Sequence, residues 1–96
     1  MSNSEYILNN SVNRSIEDFY EITSKCLGKG TYGDVMLGNI KDASSQRAIK
    51  IIKKSKVKNI ERFRTEINIM KAIDHPNILR LYEAFEDKTN VYLVLE

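Results

Sequence analysis

Three glycines stand close together in the segment "LGKGTYGDVMLG", where Gly28, Gly30 and Gly33 form the pattern G-x-G-x-x-G. Glycine has no Cβ, so a backbone built from it can approach phosphate oxygens closely. The same spacing occurs in dinucleotide-binding turns and in hairpins that lie over a nucleotide. The pattern therefore indicates a phosphate site of one of several kinds, and without further support it fits an ordinary hairpin turn equally well.

A lysine and a glutamate further along the chain are the next candidates for chemistry. Lys50 lies in the apolar segment "RAIKIIK", and Glu66 follows sixteen positions later in "RTEINIM". An ammonium held away from water needs a carboxylate partner, and Glu66 is the candidate. Taken singly, Lys50 fits a lysine at a strand end and Glu66 fits an exposed ion pair with a neighbouring arginine, which stabilises little. Only their joint spacing with the glycines makes them site residues.

Five strands and one helix are predicted to position these residues. Alternating apolar and polar residues predict a first strand that begins near Tyr20, and "DVMLGNI" predicts a second strand that forms a hairpin with it across the glycines. The turn "KDASSQ" leads to the third strand, "RAIKIIK". Its alternation places Ala48, Lys50 and Ile52 on one face, with Ile49 and Ile51 on the other.

The period then changes from two to 3.6 residues, which predicts an amphipathic helix. Its apolar stripe is Ile60, Phe63, Ile67 and Met70, with Asn59 as the N-cap. His75-Pro76 is predicted to end the helix, and His75 is interpreted as structural rather than catalytic. "NILRLYEAF" and "NVYLVLE" are two further strands joined by the hairpin loop "EDKTN". The predicted order is β-β-β-α-β-β in a single α+β domain over residues 18–96, preceded by a flexible polar tail over residues 1–17.

Composition restricts the classes of partner. The 15 basic and 13 acidic residues give a net charge of only +2, which argues against nucleic acid as a partner. No run reaches the roughly 18 apolar residues of a membrane span. The lysine run from Lys50 to Lys58 is interpreted as a solvated strand end and loop. The single cysteine, Cys26, fits a reducing compartment and is expected to be buried, and no signal peptide begins the sequence, so we expect a cytoplasmic protein.

Two of the glycine-loop alternatives fit the flanking residues poorly. A dinucleotide turn needs a helix after the glycines, whereas the strand-like "DVMLG" follows here, so a dinucleotide-linked oxidoreductase is disfavoured. A P-loop needs Lys-Ser or Lys-Thr after the last glycine, and Asp34 stands there instead.

The remaining alternative is a glycine hairpin over ATP, and here the sequence resembles the protein kinase family. "GKGTYGDV" resembles the kinase glycine loop, "AIK" the strand that carries the nucleotide lysine, and Glu66 the glutamate of helix C. "HPNILRLYEAFED" and "VYLVLE" are similar to kinase strands four and five running into the hinge. The resemblance covers residues 18–96 and implies a kinase small lobe, a five-stranded antiparallel sheet with helix C, that stops at the hinge.

The resemblance also implies which residues bind ATP. Lys50 would contact the α- and β-phosphates, Val35 and Ala48 would sandwich the adenine, Leu95 would be the gatekeeper, and Glu96 the first hinge residue. Met70 and Leu81 would belong to the hydrophobic column between the two kinase lobes. The ATP-binding residues implied are Leu27, Gly28, Lys29, Gly30, Thr31, Tyr32, Gly33, Val35, Ala48, Lys50, Glu66, Leu95 and Glu96.

The sequence of these segments is most similar to the calcium-dependent protein kinases of plants and protists. That likeness implies serine/threonine specificity, ATP with Mg²⁺, and a calcium-binding regulatory domain elsewhere in the protein. The H-R-D and D-F-G motifs, which position the substrate and hold Mg²⁺, are absent from these residues, so we expect a lobe cut from a longer enzyme that is inactive alone. The alternative is a non-catalytic kinase-fold interaction module. We also expect this piece to self-associate by exchanging a strand or helix C, because Met70, Leu81 and the terminal strand "VYLVLE" are expected to be partly uncovered and the strand to lie near a free edge. The alternative is a sheet that the helix already seals.

Overall fold

The computed structural model describes residues 15–30, 33–72 and 80–95. The predicted order of strands and helix is confirmed, with two short 3₁₀ helices added. The predictions for the tail over residues 1–14, for Thr31 and Tyr32, for the turn at His75 and for Glu96 lie outside the described residues. The elements are a 3₁₀ helix Ile16–Asp18, β1 Tyr20–Lys29, β2 Asp34–Ile40, β3 Gln46–Lys53, a 3₁₀ helix Lys54–Lys56, α1 Ile60–Ala72, β4 Leu81–Glu86 and β5 Asn90–Leu95.

The five strands form one antiparallel sheet in the order β1-β2-β3-β5-β4. The last strand in the chain therefore lies inside the sheet, between β3 and β4, and its residues from Val91 to Leu95 are all buried. Leu81 is buried as well. The expectation that "VYLVLE" lies near a free edge is wrong, because the chain passes through α1 and returns to the far side of the position that β5 fills.

Two hydrophobic clusters occupy the two faces of this sheet. Ile52 and Ala48 pack with Ile67 of α1 in one cluster, whereas Ile49 and Ile51 belong to the other. The predicted alternation of β3 is thus confirmed. The second cluster also includes Ile16, from the 3₁₀ helix that precedes β1.

Helix α1 begins as predicted, with Asn59 as its N-cap. The Asn59 side-chain oxygen Oδ1 accepts a hydrogen bond from the backbone N–H of Arg62 at 3.0 Å. Ile67 is buried against the sheet, and Phe63 and Met70 pack partly buried around it, while Ile60 at the helix start is exposed. None of the helices in the described part of the chain has the length and apolar content needed to cross a membrane.

Strand β1 departs from the predicted alternation. Its pairing with β2 shifts register between Ile22 and Cys26 and again between Cys26 and Gly28. Such irregularities rotate the following side chains out of strict alternation. Cys26 is consequently exposed rather than buried as expected, and its thiol donates a hydrogen bond to the Gly28 carbonyl oxygen at 3.3 Å.

Candidate functional site

Strand pairing brings the predicted adenine and phosphate residues onto one face of the sheet. Val35 lies opposite Lys50 in the β2–β3 pair, and Ala48 lies opposite Leu95 in the β3–β5 pair. Directly opposed residues of antiparallel strands share a face, and Ala48 and Lys50 share a face through the alternation of β3. Val35, Ala48, Lys50 and Leu95 therefore all lie on the face that carries α1.

The glycine loop and the Lys50 ammonium lie side by side. A Cβ added to Gly30 would lie 3.9 Å from both Nζ and Cε of Lys50. The backbone N–H of Gly30 donates a hydrogen bond to the Gly33 carbonyl oxygen at 2.9 Å, which closes the hairpin. The structure thus places a glycine backbone and a cation around one space, an arrangement suited to a phosphate chain.

The other two glycines of the motif have different surroundings. A Cβ at Gly33 would lie only 1.7 Å from the carbonyl oxygen of Ile51, so the β3 backbone leaves no room for a side chain there. A Cβ at Gly28 would meet nothing within 4 Å. Gly33 is therefore required by the packing of the hairpin on β3, whereas Gly28 lies beside open space.

Leu27 and Lys29 are the other predicted residues of the first hairpin that the structure describes, and both are exposed. The side chain of Leu27 is exposed. Lys29 forms an exposed ion pair with Asp34, with 3.7 Å between Nζ and Oδ2. The Lys29 ammonium is thus directed to its cross-strand neighbour, and exposed pairs of this kind stabilise by at most about 1 kcal/mol.

A cavity of about 780 Å³ separates α1 from β3 and β5, and both Lys50 and Glu66 line it. Glu66 nevertheless accepts a hydrogen bond from Nε of Arg62, one helical turn earlier, at 3.3 Å. Within the described residues, the ion pair of Glu66 is with Arg62 and not with Lys50. The predicted Lys50–Glu66 pair stays a prediction. In this structure the i,i+4 neighbour Arg62 holds the exposed carboxylate instead.

A buried ion pair that the sequence analysis does not predict joins the segment after β3 to the end of β4. Nζ of Lys54 lies 2.7 Å from Oε2 of Glu86, and the two side chains are 12% and 0% exposed. Lys54 was grouped with the solvated lysines, and its partner on β4 is far away in sequence. The only sign of this ion pair in the sequence is a glutamate at the end of the apolar run "LYEAF". The pair fastens the segment that leads into α1 to the far strand of the sheet.

The clearest pKa displacements in the described chain concern tyrosines and Asp87 rather than the glycine loop. Burial raises the pKa of Tyr20, and its hydroxyl donates a hydrogen bond to Oε2 of Glu83 at 2.6 Å, which raises it further. Tyr20 and Glu83 belong to the two edge strands, so this side-chain hydrogen bond connects the two edges of the sheet. Among the described residues, no group of three or more His, Cys, Asp or Glu side chains could hold a metal ion.

Comparisons with known proteins show similarity to protein kinases. The sequence model of the protein kinase domain matches residues 20–96. The chain is 54% identical over 92 residues to calcium-dependent protein kinase 5 of Plasmodium falciparum (isolate 3D7), which covers 96% of this chain and 16% of that protein. It is 50% identical over 82 residues to calcium-dependent protein kinase 3 of Plasmodium yoelii yoelii, covering 85% and 15%.

A more distant relative from a plant is likewise matched over only a small part of its own length. CBL-interacting protein kinase 33 of Oryza sativa subsp. japonica is 41% identical over 80 residues, covering 80% of this chain and 17% of that protein. The chain therefore spans only 15–17% of the length of these three relatives.

Proposed function

The chain belongs to the protein kinase family, and we propose that it is the ATP-binding small lobe of a serine/threonine protein kinase. The observation that carries this proposal is the position of Gly30 beside the Lys50 ammonium, 3.9 Å from the site of an added Cβ. Val35, Ala48 and Leu95 supply an apolar surface on the same face of the sheet. The groups that bind phosphates and the groups that bind a purine ring thus lie at neighbouring positions.

The residues present fit two parts of ATP, the triphosphate and the adenine. The glycine backbone would approach the triphosphate, and Lys50 would neutralise its negative charge, which is the larger part of what phosphoryl transfer asks of a protein. Val35 and Ala48 would hold the adenine between them, with Leu95 beside it. ATP supplies the phosphoryl group, and Mg²⁺, whose ligands we assign to residues beyond those described, supplies further charge neutralisation.

Control of the lobe would act through Glu66. Its carboxylate would move from Arg62 to Lys50 when α1 closes on the sheet, and this would fix the ammonium toward the phosphates. The cavity between α1 and β3 provides the space for that closure. The proposed switch therefore consists of one carboxylate that has two alternative cationic partners.

The names of the relatives extend the proposal to the whole protein. We propose that the complete protein transfers the γ-phosphoryl group of ATP to serine or threonine side chains of protein substrates, under calcium control exerted by a segment outside these residues. The 96 residues alone would not transfer phosphate, since the groups that position the substrate and Mg²⁺ are not among them. Its proposed compartment is the reducing cytoplasm, to which the single cysteine is suited.

Calorimetric titration of the 96-residue chain with ATP tests the nucleotide proposal. We expect saturable ATP binding, loss of that binding in Lys50→Met, and unchanged binding in the matched control Lys53→Met, whose exposed side chain lies on the opposite face of β3. NAD should not bind, which separates the lobe from a dinucleotide turn. In the complete protein, Lys50→Met should abolish phosphoryl transfer and leave the circular dichroism spectrum unchanged.

Two results would contradict the proposal in different ways. Equal ATP affinity in Lys50→Met and the wild type would remove the role of Lys50. Absence of ATP binding by a folded wild-type chain would favour the alternative, a kinase-fold interaction module without catalytic function.

A further inference from the structure

Strand β1 leads into the glycine loop, and its start is attached to the opposite edge strand of the sheet. The Tyr20 hydroxyl donates a hydrogen bond to Oε2 of Glu83 on β4 at 2.6 Å, and Tyr20 is only 3% exposed. Burial and the Glu83 carboxylate raise the pKa of Tyr20, so the hydroxyl keeps its proton and remains a donor. The Phe19 ring stacks on Phe85 of β4, with 5.7 Å between the ring centroids. The start of β1 is therefore held by contacts outside its own hairpin.

The middle of β1 is held much less regularly. Within the described residues β1 pairs only with β2, which makes it an edge strand. Its pairing is regular from Tyr20 to Ile22, but from Ile22 to Cys26 four steps along β1 face only two along β2. A second shift follows between Cys26 and Gly28. Such irregularities interrupt the ladder and bend the strand. Strand β1 thus has a regular first part and an irregular second part that ends in the glycine loop.

One side chain bridges the first irregularity. Oγ1 of Thr23 donates a hydrogen bond to the Leu37 carbonyl oxygen at 2.8 Å and accepts one from the backbone N–H of Lys25 at 3.2 Å. A side chain here takes the place of backbone pairing between the strands. A single contact of this kind constrains a strand less than a continuous ladder does, so this stretch is where β1 can bend.

We propose that Tyr20 and Glu83 are positioning residues for the glycine loop. Their hydrogen bond holds the first part of β1, so bending is confined to the irregular part and Gly30 stays beside the Lys50 ammonium. Without this bond the whole strand would pivot on its pairing with β2, and the loop would leave Lys50 more often. A loop that is correctly placed for a smaller fraction of the time binds nucleotide proportionally more weakly. The effect on nucleotide rests on the proposed function, whereas the placement of the loop does not.

Hydrogen exchange at the Gly30 amide, followed by nuclear magnetic resonance in the 96-residue chain without nucleotide, tests the placement. This N–H donates to the Gly33 carbonyl oxygen at 2.9 Å, so its exchange reports opening of the hairpin. Tyr20→Phe keeps the buried ring and removes only the hydroxyl, and we expect Gly30 to exchange about fivefold faster or more. The matched control Tyr92→Phe removes the hydroxyl of another buried tyrosine, which donates to Asp87 in the β4–β5 turn at 2.8 Å, and should leave the Gly30 rate unchanged.

Calorimetric titration with ATP gives the second readout. Binding should be about fivefold weaker in Tyr20→Phe and within about twofold of the wild type in Tyr92→Phe. Glu83→Ala should reproduce the effects of Tyr20→Phe on both readouts, whereas Glu83→Gln keeps an acceptor oxygen for the hydroxyl and should behave as the wild type. Because Glu83 has other interactions as well, the double variant Tyr20→Phe/Glu83→Ala isolates the shared bond, and its Gly30 amide should exchange no faster than that of Glu83→Ala alone.

Three results would overturn the proposal. Equal changes in Tyr20→Phe and Tyr92→Phe would show that both hydroxyls act through overall stability alone. An unchanged Gly30 exchange rate in Tyr20→Phe would show that the bond does not hold the loop, and faster exchange with unchanged ATP affinity would show that loop placement does not serve the nucleotide. If the folded wild type does not bind ATP, the proposed function fails, and the Gly30 exchange rates still decide whether the pair places the loop.

Discussion

The three glycines of the loop have one spacing in the sequence but three different roles in the structure. Gly33 lies against the β3 backbone, Gly30 lies beside the Lys50 ammonium, and Gly28 lies beside open space. A motif pattern treats them as equal. Their substitutions should therefore separate the requirements of folding from those of nucleotide binding.

Gly33→Ala should destabilise the fold, and Gly28→Ala serves as its matched control. The new methyl at position 33 would lie 1.7 Å from the Ile51 carbonyl oxygen, and a strand backbone cannot move aside as a flexible side chain can. We expect a loss of about 1–3 kcal/mol in the free energy of unfolding. Gly28→Ala should change it by less than about 1 kcal/mol. Urea denaturation measures both, and equal effects would contradict the assigned roles.

Gly30→Ala should affect ATP more than the fold. Its methyl would lie 3.9 Å from the Lys50 ammonium, in the space assigned to phosphate, and 3.2 Å from the Gly33 carbonyl oxygen. We expect ATP affinity to fall by about tenfold, or 1.4 kcal/mol, with a smaller loss of stability than in Gly33→Ala. Calorimetric titration beside urea denaturation gives the two values. Unchanged ATP affinity would show that the phosphates lie elsewhere.

For single residues, the sequence predicted the face on which a side chain lies where that face follows from the alternation within one strand. The alternation of β3 was enough to place Lys50 with Ala48 and Ile52. The local alternative for Glu66, an exposed ion pair with a neighbouring arginine, is the one that forms in this structure, because an i,i+4 neighbour competes with a distant cation at lower cost in desolvation. The Lys54–Glu86 pair was missed, since only the folded sheet brings those residues together.

At the scale of elements, the attachment of α1 to the sheet depends on the segment before the helix. Lys54 stands at the start of the 3₁₀ helix after β3, and Glu86 ends β4. Their ion pair therefore spans the sheet at the end from which the chain departs toward α1. The pair therefore fixes the beginning of the connection to α1.

Removing one partner of the Lys54–Glu86 pair should be costly. Lys54→Met takes away the ammonium 2.7 Å from a carboxylate that is 0% exposed, and we expect about 3 kcal/mol of destabilisation. The double variant Lys54→Met/Glu86→Leu should be less destabilised than Lys54→Met, because it buries no charge. Arg64→Met, which breaks the more exposed pair with Glu61, is the control and should cost about 1 kcal/mol or less. A double variant that is worse than either single would contradict this account.

The β4–β5 hairpin should lose stability in acid through Asp87. Burial acts to raise the pKa of this carboxyl, but hydrogen bonds from the Tyr92 hydroxyl and from the backbone N–H groups of Asn90 and Thr89 outweigh it and lower the pKa. A lowered folded-state pKa stabilises the protein above the unfolded value of about 4, and this contribution is lost as the pH falls through the folded value.

Asp87→Asn tests this linkage. At neutral pH the variant should be less stable by about 1 kcal/mol, since the acceptor loses its charge. The difference should shrink as the pH falls below about 4, because the unfolded carboxyl is protonated first and the folded one follows as the pH passes its lowered pKa. Thermal unfolding of both proteins across the pH range measures it. A difference independent of pH would mean that the hairpin does not depend on the carboxylate charge.

Element boundaries were predictable where a strand or helix is regular. The sequence predicted Asn59 as the N-cap of α1. It also predicted the turn residues of the β2–β3 and β4–β5 hairpins. The irregularity of strand β1 was not predicted, because its register shifts near Cys26 depend on pairing with β2 and leave no mark in the alternation of residue types.

For the whole molecule, strand order decides which surfaces are exposed. The order β1-β2-β3-β5-β4 covers β5 on both sides, and a side-chain hydrogen bond from Tyr20 to Glu83 connects the two edge strands. Local patterns contain no information on this order, since it arises from the path of the chain through α1. The terminal strand is therefore not available to pair with a second copy of the chain, and helix α1 is the element left for such an association.

We still expect the 96-residue chain to self-associate, but through α1 rather than β5. Ile69 is 53% exposed on the helix, and the large cavity beneath α1 shows that the helix is loosely packed on the sheet. Light scattering should show a mass that rises with concentration, and Ile69→Glu should restore the monomer. The control Asn68→Glu adds the same charge at an adjacent exposed position without removing apolar surface, and should still associate. A monomer at high concentration in the wild type would show that α1 already seals the sheet well enough.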